Sequence, residues 1–412
     1  MEYRDEVYFK SNPEKEVPFS DAEYADRLRR IRDKMRQAKV DTLFLMSPDA
    51  MCYVSGYQNL WYQGHSPKQW PASSSIAINV DSDKFILFDS EREAILGRIF
   101  TCSTDTRYFP KTSMRDGHEF IASELKAKGW LTGTVGMEFR SHRPNRAISQ
   151  RIEGLFRNGG AKDVVDATDL VREVRWIKSP AEVAVMEEAG RISNIGMAAA
   201  RAAIRPGVTE LEVYGEMVRA MAKAGGENAA QTQAALSGTK TNALHSLATR
   251  RVVKAGEPFL VDLMGVYKRY HVNQARTFFV GEPPKDVVAQ TNKIAQSMKV
   301  FRDMLRPNLP VRELNKAILD YFKQDGLWQM RGWIGGYEMG ICFMPDWVGN
   351  FVFDPLSEIN ADRLFEPGTA VNYENQFFMP RQIGQYFTID TFLFKQDGAR
   401  GLSDQPFELI VV

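Results

Sequence analysis

The strongest constraint on the fold is a repeat inside the second half of the chain. Arg205-Pro206-Gly207-Val208, followed by Glu210-Leu211, is echoed by Arg306-Pro307-Asn308-Leu309, followed by Glu313-Leu314. Each block is placed to end one helix and begin another. Gly256, a strand pattern and Asp262 are echoed by Gly368, a strand pattern and Glu374, with the carboxylate six residues after the glycine in both. Arg276-Thr277-Phe278-Phe279-Val280 is echoed by Asp390-Thr391-Phe392-Leu393-Phe394. Three matches in the same order, at offsets of 101 to 114 residues, predict two αβ halves related by a pseudo-twofold axis. Such halves form one sheet with helices on one face, and the site lies where they meet, with Asp262 and Glu374 facing each other.

The first half reads differently. A polar arm of 19 residues precedes Ser20-Asp21-Ala22-Glu23, a capping box. Tyr24, Leu28, Ile31 and Met35 recur behind it at helical spacing, predicting a helix to about Gln37. Strands are predicted at residues 42–46, 75–80, 84–88, 134–139 and 163–165, and helices at 91–100, 119–128 and 145–156. Alternating strands and helices make this an α/β domain. Ser179-Pro180-Ala181-Glu182 starts a long helix through Ala203. The boundary falls just before it, giving domains of residues 1–175 and 176–412 in a chain of α/β (α+β) class.

Composition narrows the function. With 53 Lys+Arg against 52 Asp+Glu the net charge is +1, and no basic stripe with interleaved aromatics is present, so nucleic acid is not an expected partner. Cys52, Cys102 and Cys342 are too scattered for a disulfide framework or a cysteine zinc site. No apolar run reaches the ~20 residues of a spanning helix, and the start MEYRDE lacks a signal-peptide pattern, so a cytoplasmic enzyme or binding protein is expected.

Two carboxylates opposed in an enclosed site can bind metal, share a proton or divide acid and base roles. Near Asp262 and Glu374 in sequence stand His245, Tyr270, His271, Asn273, Arg276 and Tyr337. His245 lies in SGTKTNALHSLATRR, a polar stretch rich in turn formers, where a core histidine would be out of place.

The segment SGTKTNALHSLATRRVVKAGEPFLVDL resembles the one that carries the active-site histidine in the pita-bread superfamily of creatinase and of methionine and Xaa-Pro aminopeptidases. VPFSDAEYADRLRRIRDKM and YVSGYQ resemble the creatinase-type amino-terminal domain, and RWIKSPAEVAVMEEA the junction helix. KRYHVNQARTFFVG and GICFMPDW are similar to the creatinase and ectoine hydrolase branch. The resemblance implies a creatinase-like amino-terminal domain, a pita-bread catalytic domain and a homodimer with shared active sites. Dinuclear peptidases of the superfamily use two Asp, one His and two Glu. Asp262 and Glu374 match the first Asp and first Glu, but Asn273, Tyr337 and Ile389 stand where the second Asp, the His and the last Glu belong. An amide, a phenol and an alkyl group cannot replace anionic or imidazole ligands. No metal and no cofactor are therefore expected.

The resemblance implies a metal-independent hydrolase of a non-peptide C–N bond in a small polar metabolite. His245 would be the general base or proton shuttle, Glu374 a partner for a polarised nitrogen, and Asp262 a binder or nucleophile. Tyr270, His271, Asn273, Arg276 and Tyr337 are the expected substrate contacts, joined by Trp61 and Tyr62 from the aromatic stretch GYQNLWYQGHSPKQW. Trp333, Trp347 and Phe343 add apolar walls. Ala275 replaces the glutamate that holds a guanidinium in creatinase, which argues against creatine. A lyase eliminating from an onium or hydroxylated aryl substrate, an Xaa-Pro-type metallopeptidase and a binding protein without catalysis are the alternatives.

Overall fold

The computed structural model describes residues 3–63, 70–110, 117–324, 326–347 and 349–412. The chain divides into two compact units, Met1–Arg175 with Phe343–Asp346, and Trp176–Cys342 with Trp347–Val412.

The first unit runs α1 (Tyr3–Lys10), α2 (Asp21–Ala38), β1 (Thr42–Leu45), α3 (Pro48–Ser55), β2 (Ser75–Asn79), β3 (Phe85–Ser90), α4 (Ala94–Phe100), β4 (Thr106–Phe109), α5 (Gly117–Ala127), β5 (Thr134–Met137), α6 (Arg146–Gly159), β6 (Asp163–Asp166) and α7 (Thr168–Trp176). Its sheet has the order β4-β3-β2-β1-β5-β6. The five predicted strands are all present. The polar arm contains a helix instead of running extended: α1 buries no residue, so its apolar period is faint, and Arg98 holds it by donating to the carbonyls of Tyr8 and Ser11. Phe44, Phe88, Leu125, Ile152 and Phe156 form the core.

The second unit runs α8 (Pro180–Ala203), α9 (Glu210–Lys223), β7 (Ala234–Ser237), β8 (Pro258–Tyr267), β9 (Tyr270–Phe279), α10 (Lys285–Met304), β10 (Leu309–Pro310), α11 (Val311–Gln324), β11 (Arg331–Tyr337), β12 (Val352–Phe353), β13 (Leu364–Phe365), β14 (Ala370–Phe378), β15 (Gln385–Lys395), β16 (Gly398–Gly401) and β17 (Ile410–Val411). Its large sheet has the order β12-β11-β14-β15-β9-β8-β7, so the hairpin β8–β9 of one half lies beside the hairpin β14–β15 of the other. The predicted repeat is a structural one. Residues alternate between the faces of a strand. Phe259, Val261 and Leu263 of β8 pack with residues of α8 and α9, while Val371, Tyr373 and Phe377 of β14 pack with residues of α10 and α11. Helices thus cover one face, and Asp262 and Glu374 fall on the other.

The halves meet at a seam with one ladder pair, Ala275 opposite Ile389. Two threonine hydroxyls complete it. Thr391 Oγ1 accepts from the Asn273 amide at 3.0 Å and donates to its carbonyl at 2.9 Å. Thr277 Oγ1 does the same for Phe387, at 2.8 and 3.0 Å.

Gly265 lets α8 lie directly on β8, because a Cβ there would sit 2.0 Å from the Ala189 carbonyl. Gly265→Ala is expected to lower unfolding free energy by about 1–3 kcal/mol through this clash, measured by urea denaturation. An unchanged midpoint would mean the contact has room to yield.

Candidate functional site

Pairing across the sheet sets one row of side chains on the open face. Ala234 pairs with Asp262, Asp262 with Ala275, Ala275 with Ile389, Ile389 with Glu374, and Glu374 with Gly335. Each half contributes one carboxylate, and the seam between them is apolar. The row floors a cavity of about 780 Å³ lined by His245, Asp262, Tyr337, Glu374, Ile389, Trp333, Trp347 and Phe387, among others.

A hydrogen-bond chain connects the two carboxylates. Asn273 Nδ2 donates to Asp262 Oδ1 at 2.8 Å and to the Leu263 carbonyl at 3.3 Å. Asn372 Nδ2 donates to Glu374 Oε1 at 2.7 Å and to Asn273 Oδ1 at 3.3 Å. Asn372 Oδ1 accepts from the Tyr337 amide at 2.8 Å. The Tyr337 hydroxyl accepts from Trp347 Nε1 at 3.2 Å and is hydrogen-bonded to Glu374. Asn372 went unrecognised from sequence. Its signal was parity, two residues before Glu374 on one strand.

Burial pushes the Asp262 carboxyl up to about 6, against the hydrogen bond from Asn273. Burial, and then the charge of Asp262, push Glu374 up to about 8. The pair thus keeps a proton to higher pH than exposed carboxyls would, and Glu374 holds it more tightly than Asp262. A carboxyl with a raised native value binds its proton more tightly folded than unfolded. The stability it contributes is complete below the unfolded value and is lost as pH rises through about 8. Glu374→Gln keeps the neutral shape without that loss, so it should melt above wild type at pH 9 and level with it at pH 4. A variant melting below wild type at pH 9 would refute the burial argument.

His245 is exposed at the cavity, in the loop after a 3-10 turn at Gly238–Asn242. Buried Glu210 anchors both stems of that loop, accepting from the Ser237 amide and hydroxyl on one side and the Thr249 amide on the other, with Lys240 at 2.6 Å.

Other expected substrate contacts belong to the framework. Tyr270 and Arg276 lie at the opposite parity to Asn273 on β9, so they face the helices. The Tyr270 hydroxyl donates to Glu182 of α8 at 2.7 Å. Arg276 is fully buried, paired with Asp390 at 2.8 Å, and donates to the carbonyls of Ala275, Ile389, Gln405 and Pro406. His271 shares the parity of Asn273, but Nε2 accepts from the Ala230 amide at 2.9 Å, leaving Nδ1 to donate to the Arg269 carbonyl at 2.8 Å. Burial, with the Arg269 charge, pushes its pKa down to about 3, so it is a neutral structural imidazole. Tyr62 lines a cavity of about 330 Å³ in the first unit, as does Phe343. The side chain of Trp61 and residues 64–69 lie outside the described residues.

The Metallopeptidase family M24 model matches residues 184–396, and the Creatinase/Prolidase N-terminal domain model matches residues 27–177. The chain belongs to metallopeptidase family M24. This M24 chain is an enzyme of a hydrolase family. It is 24% identical to ectoine hydrolase from Halomonas elongata, over 96% of this chain and 98% of that one. It is 22% identical to Xaa-Pro dipeptidase from Pyrococcus furiosus, over 93% and 99%. In fold it is similar to X-Pro aminopeptidase from Thermotoga maritima MSB8, with a TM-score of 0.78 at 18% identity over 93% of this chain and 99% of that one. Prolidase from Pyrococcus horikoshii OT3 gives 0.76 at 20%, over 93% and 100%.

A metallopeptidase family implies metal, and the donor set of this M24 chain does not fit one. The row offers two carboxylates, with amide N–H donors turned toward both. Among the described residues no three His, Cys, Asp or Glu side chains are grouped to hold an ion. Nor, among the described residues, is any helix long and apolar enough to cross a membrane.

Proposed function

We propose that this M24 hydrolase cleaves a non-peptide C–N bond, in an amidine or amide of a small polar metabolite, without a metal ion. The observation that carries the reading is the amide-linked pair Asp262 and Glu374 at the floor of a cavity whose lining includes His245. The name of the Halomonas relative supports it, and those of the Xaa-Pro dipeptidases point to peptide bonds, for which this donor set lacks the ligands.

His245 takes a proton from water as the oxygen attacks the C–N carbon, and returns it to the departing nitrogen. Water thus supplies oxygen to the carbonyl product and hydrogen to the amine. Asp262, ionised at neutral pH, holds a cationic or polarised nitrogen. Glu374, neutral there, hydrogen-bonds to the substrate as an acid. Trp333, Trp347, Phe387 and Tyr337 wall the cavity and suit a flat or cationic group. A homodimer is part of the same proposal, and sedimentation velocity checks it.

The test is metal content by plasma mass spectrometry before and after chelation, followed by a screen of amidines, cyclic amidines and N-acylated amino acids for released amine. The expected result is less than about a tenth of an equivalent of metal, with chelator-resistant amine release. Metal lost together with activity would return peptidase chemistry to the front.

A further inference from the structure

The Asn273–Asn372 amide pair has a polarity that its surroundings dictate. At one end the Tyr337 backbone amide can only donate, so Asn372 must present Oδ1 to it. Its Nδ2 then faces Glu374 Oε1 and Asn273 Oδ1. Asn273 therefore turns Nδ2 toward Asp262 and the Leu263 carbonyl, and that carbonyl can only accept. Flipping either amide would set donor against donor at one end or acceptor against acceptor at the other. Both asparagines are buried, at 2% and 0% exposure, so water cannot repair a mismatch, and an unmet buried polar group costs about 1–3 kcal/mol.

We propose that Asn273 and Asn372 form a clamp of fixed direction that does for Asp262 and Glu374 what a bound cation does for paired carboxylates. It points one N–H at each carboxylate and closes the floor to divalent ions. Asn372 is the positioning residue, since it touches Glu374, Asn273 and the Tyr337 backbone together. The clamp rests on the metal-free reading above and adds the cause of the closure. An isosteric aspartate in either position turns a donor into an anionic acceptor and sets a third carboxylate beside Asp262 and Glu374.

The experiment is titration of the purified full-length chain with manganese chloride by calorimetry, for wild type and Asn273→Asp, with circular dichroism as the fold control. The expected result is no stoichiometric uptake by wild type and binding by Asn273→Asp that is tighter on the order of 100-fold, as ligand charge is added. Equal, stoichiometric binding by both would overturn the clamp and the metal-free reading together. No binding by either, with native spectra, would overturn the clamp alone and leave the metal-free reading standing. Should Asn273→Asp not fold, Asn372→Asp is read by the same outcomes.

Discussion

His245→Ala is expected to lower turnover by about two to four orders of magnitude, the usual scale for a lost general base, without moving the unfolding transition. His245 is exposed on a loop whose stems are held by Glu210, so the imidazole carries no part of the core. The catalytic prediction and the stability prediction therefore separate. The check is kcat on the best substrate from the amine-release screen, beside a thermal melt of the same preparation. Near-native turnover would remove His245 from the chemistry, and a lowered melting temperature would show that the loop depends on it. Changing Asp262 or Glu374 offers no such separation, since each is bonded to an asparagine that is bonded to the other.

Arg276→Met should produce the opposite pattern, a loss of about 3–5 kcal/mol of stability as Asp390 is left buried without its partner. Arg276 is fully buried and donates to four backbone carbonyls beside its ion pair, including those of Gln405 and Pro406 near the carboxy-terminal strand. Replacing Asp390 as well, by leucine, should recover part of the loss, because an uncompensated charge costs more than a missing pair. Urea denaturation of the two variants decides this. A stable Arg276→Met with weakened substrate affinity would put the arginine back in the site.

Much of the architecture was legible because it rests on periodicity. The repeat gave the pairing of halves, and the short apolar runs gave the strands of the first unit. Helix α1 was missed because nothing in it is buried, and strand β4 because its first three residues, Thr106, Arg107 and Tyr108, are only partly buried. At the site, Asp262 and Glu374 were legible as equivalent positions of the repeat. The errors at Tyr270 and Arg276 came from proximity in sequence overriding strand parity: each lies an odd number of residues from Asn273 and so on the other face. His271 passes that parity test and still fails, since its two ring nitrogens are taken by the Ala230 amide and the Arg269 carbonyl. Only the folded chain brings those groups to it.

The seam is symmetric residue for residue. Thr277 and Thr391 are equivalent residues, and each splices its hydroxyl into the backbone of the opposite half. Arg276 and Asp390 are equivalent as well, and they pair with each other. Ala275 and Ile389, equivalent again, meet on the axis. Reciprocal contact, residue for residue, is the signature of an isologous interface between two identical subunits. The larger unit is thus held together as a symmetric dimer would be, with both halves carried on one chain. Because one chain carries both halves, equivalent positions need not be identical, and the site has aspartate on one side and glutamate on the other.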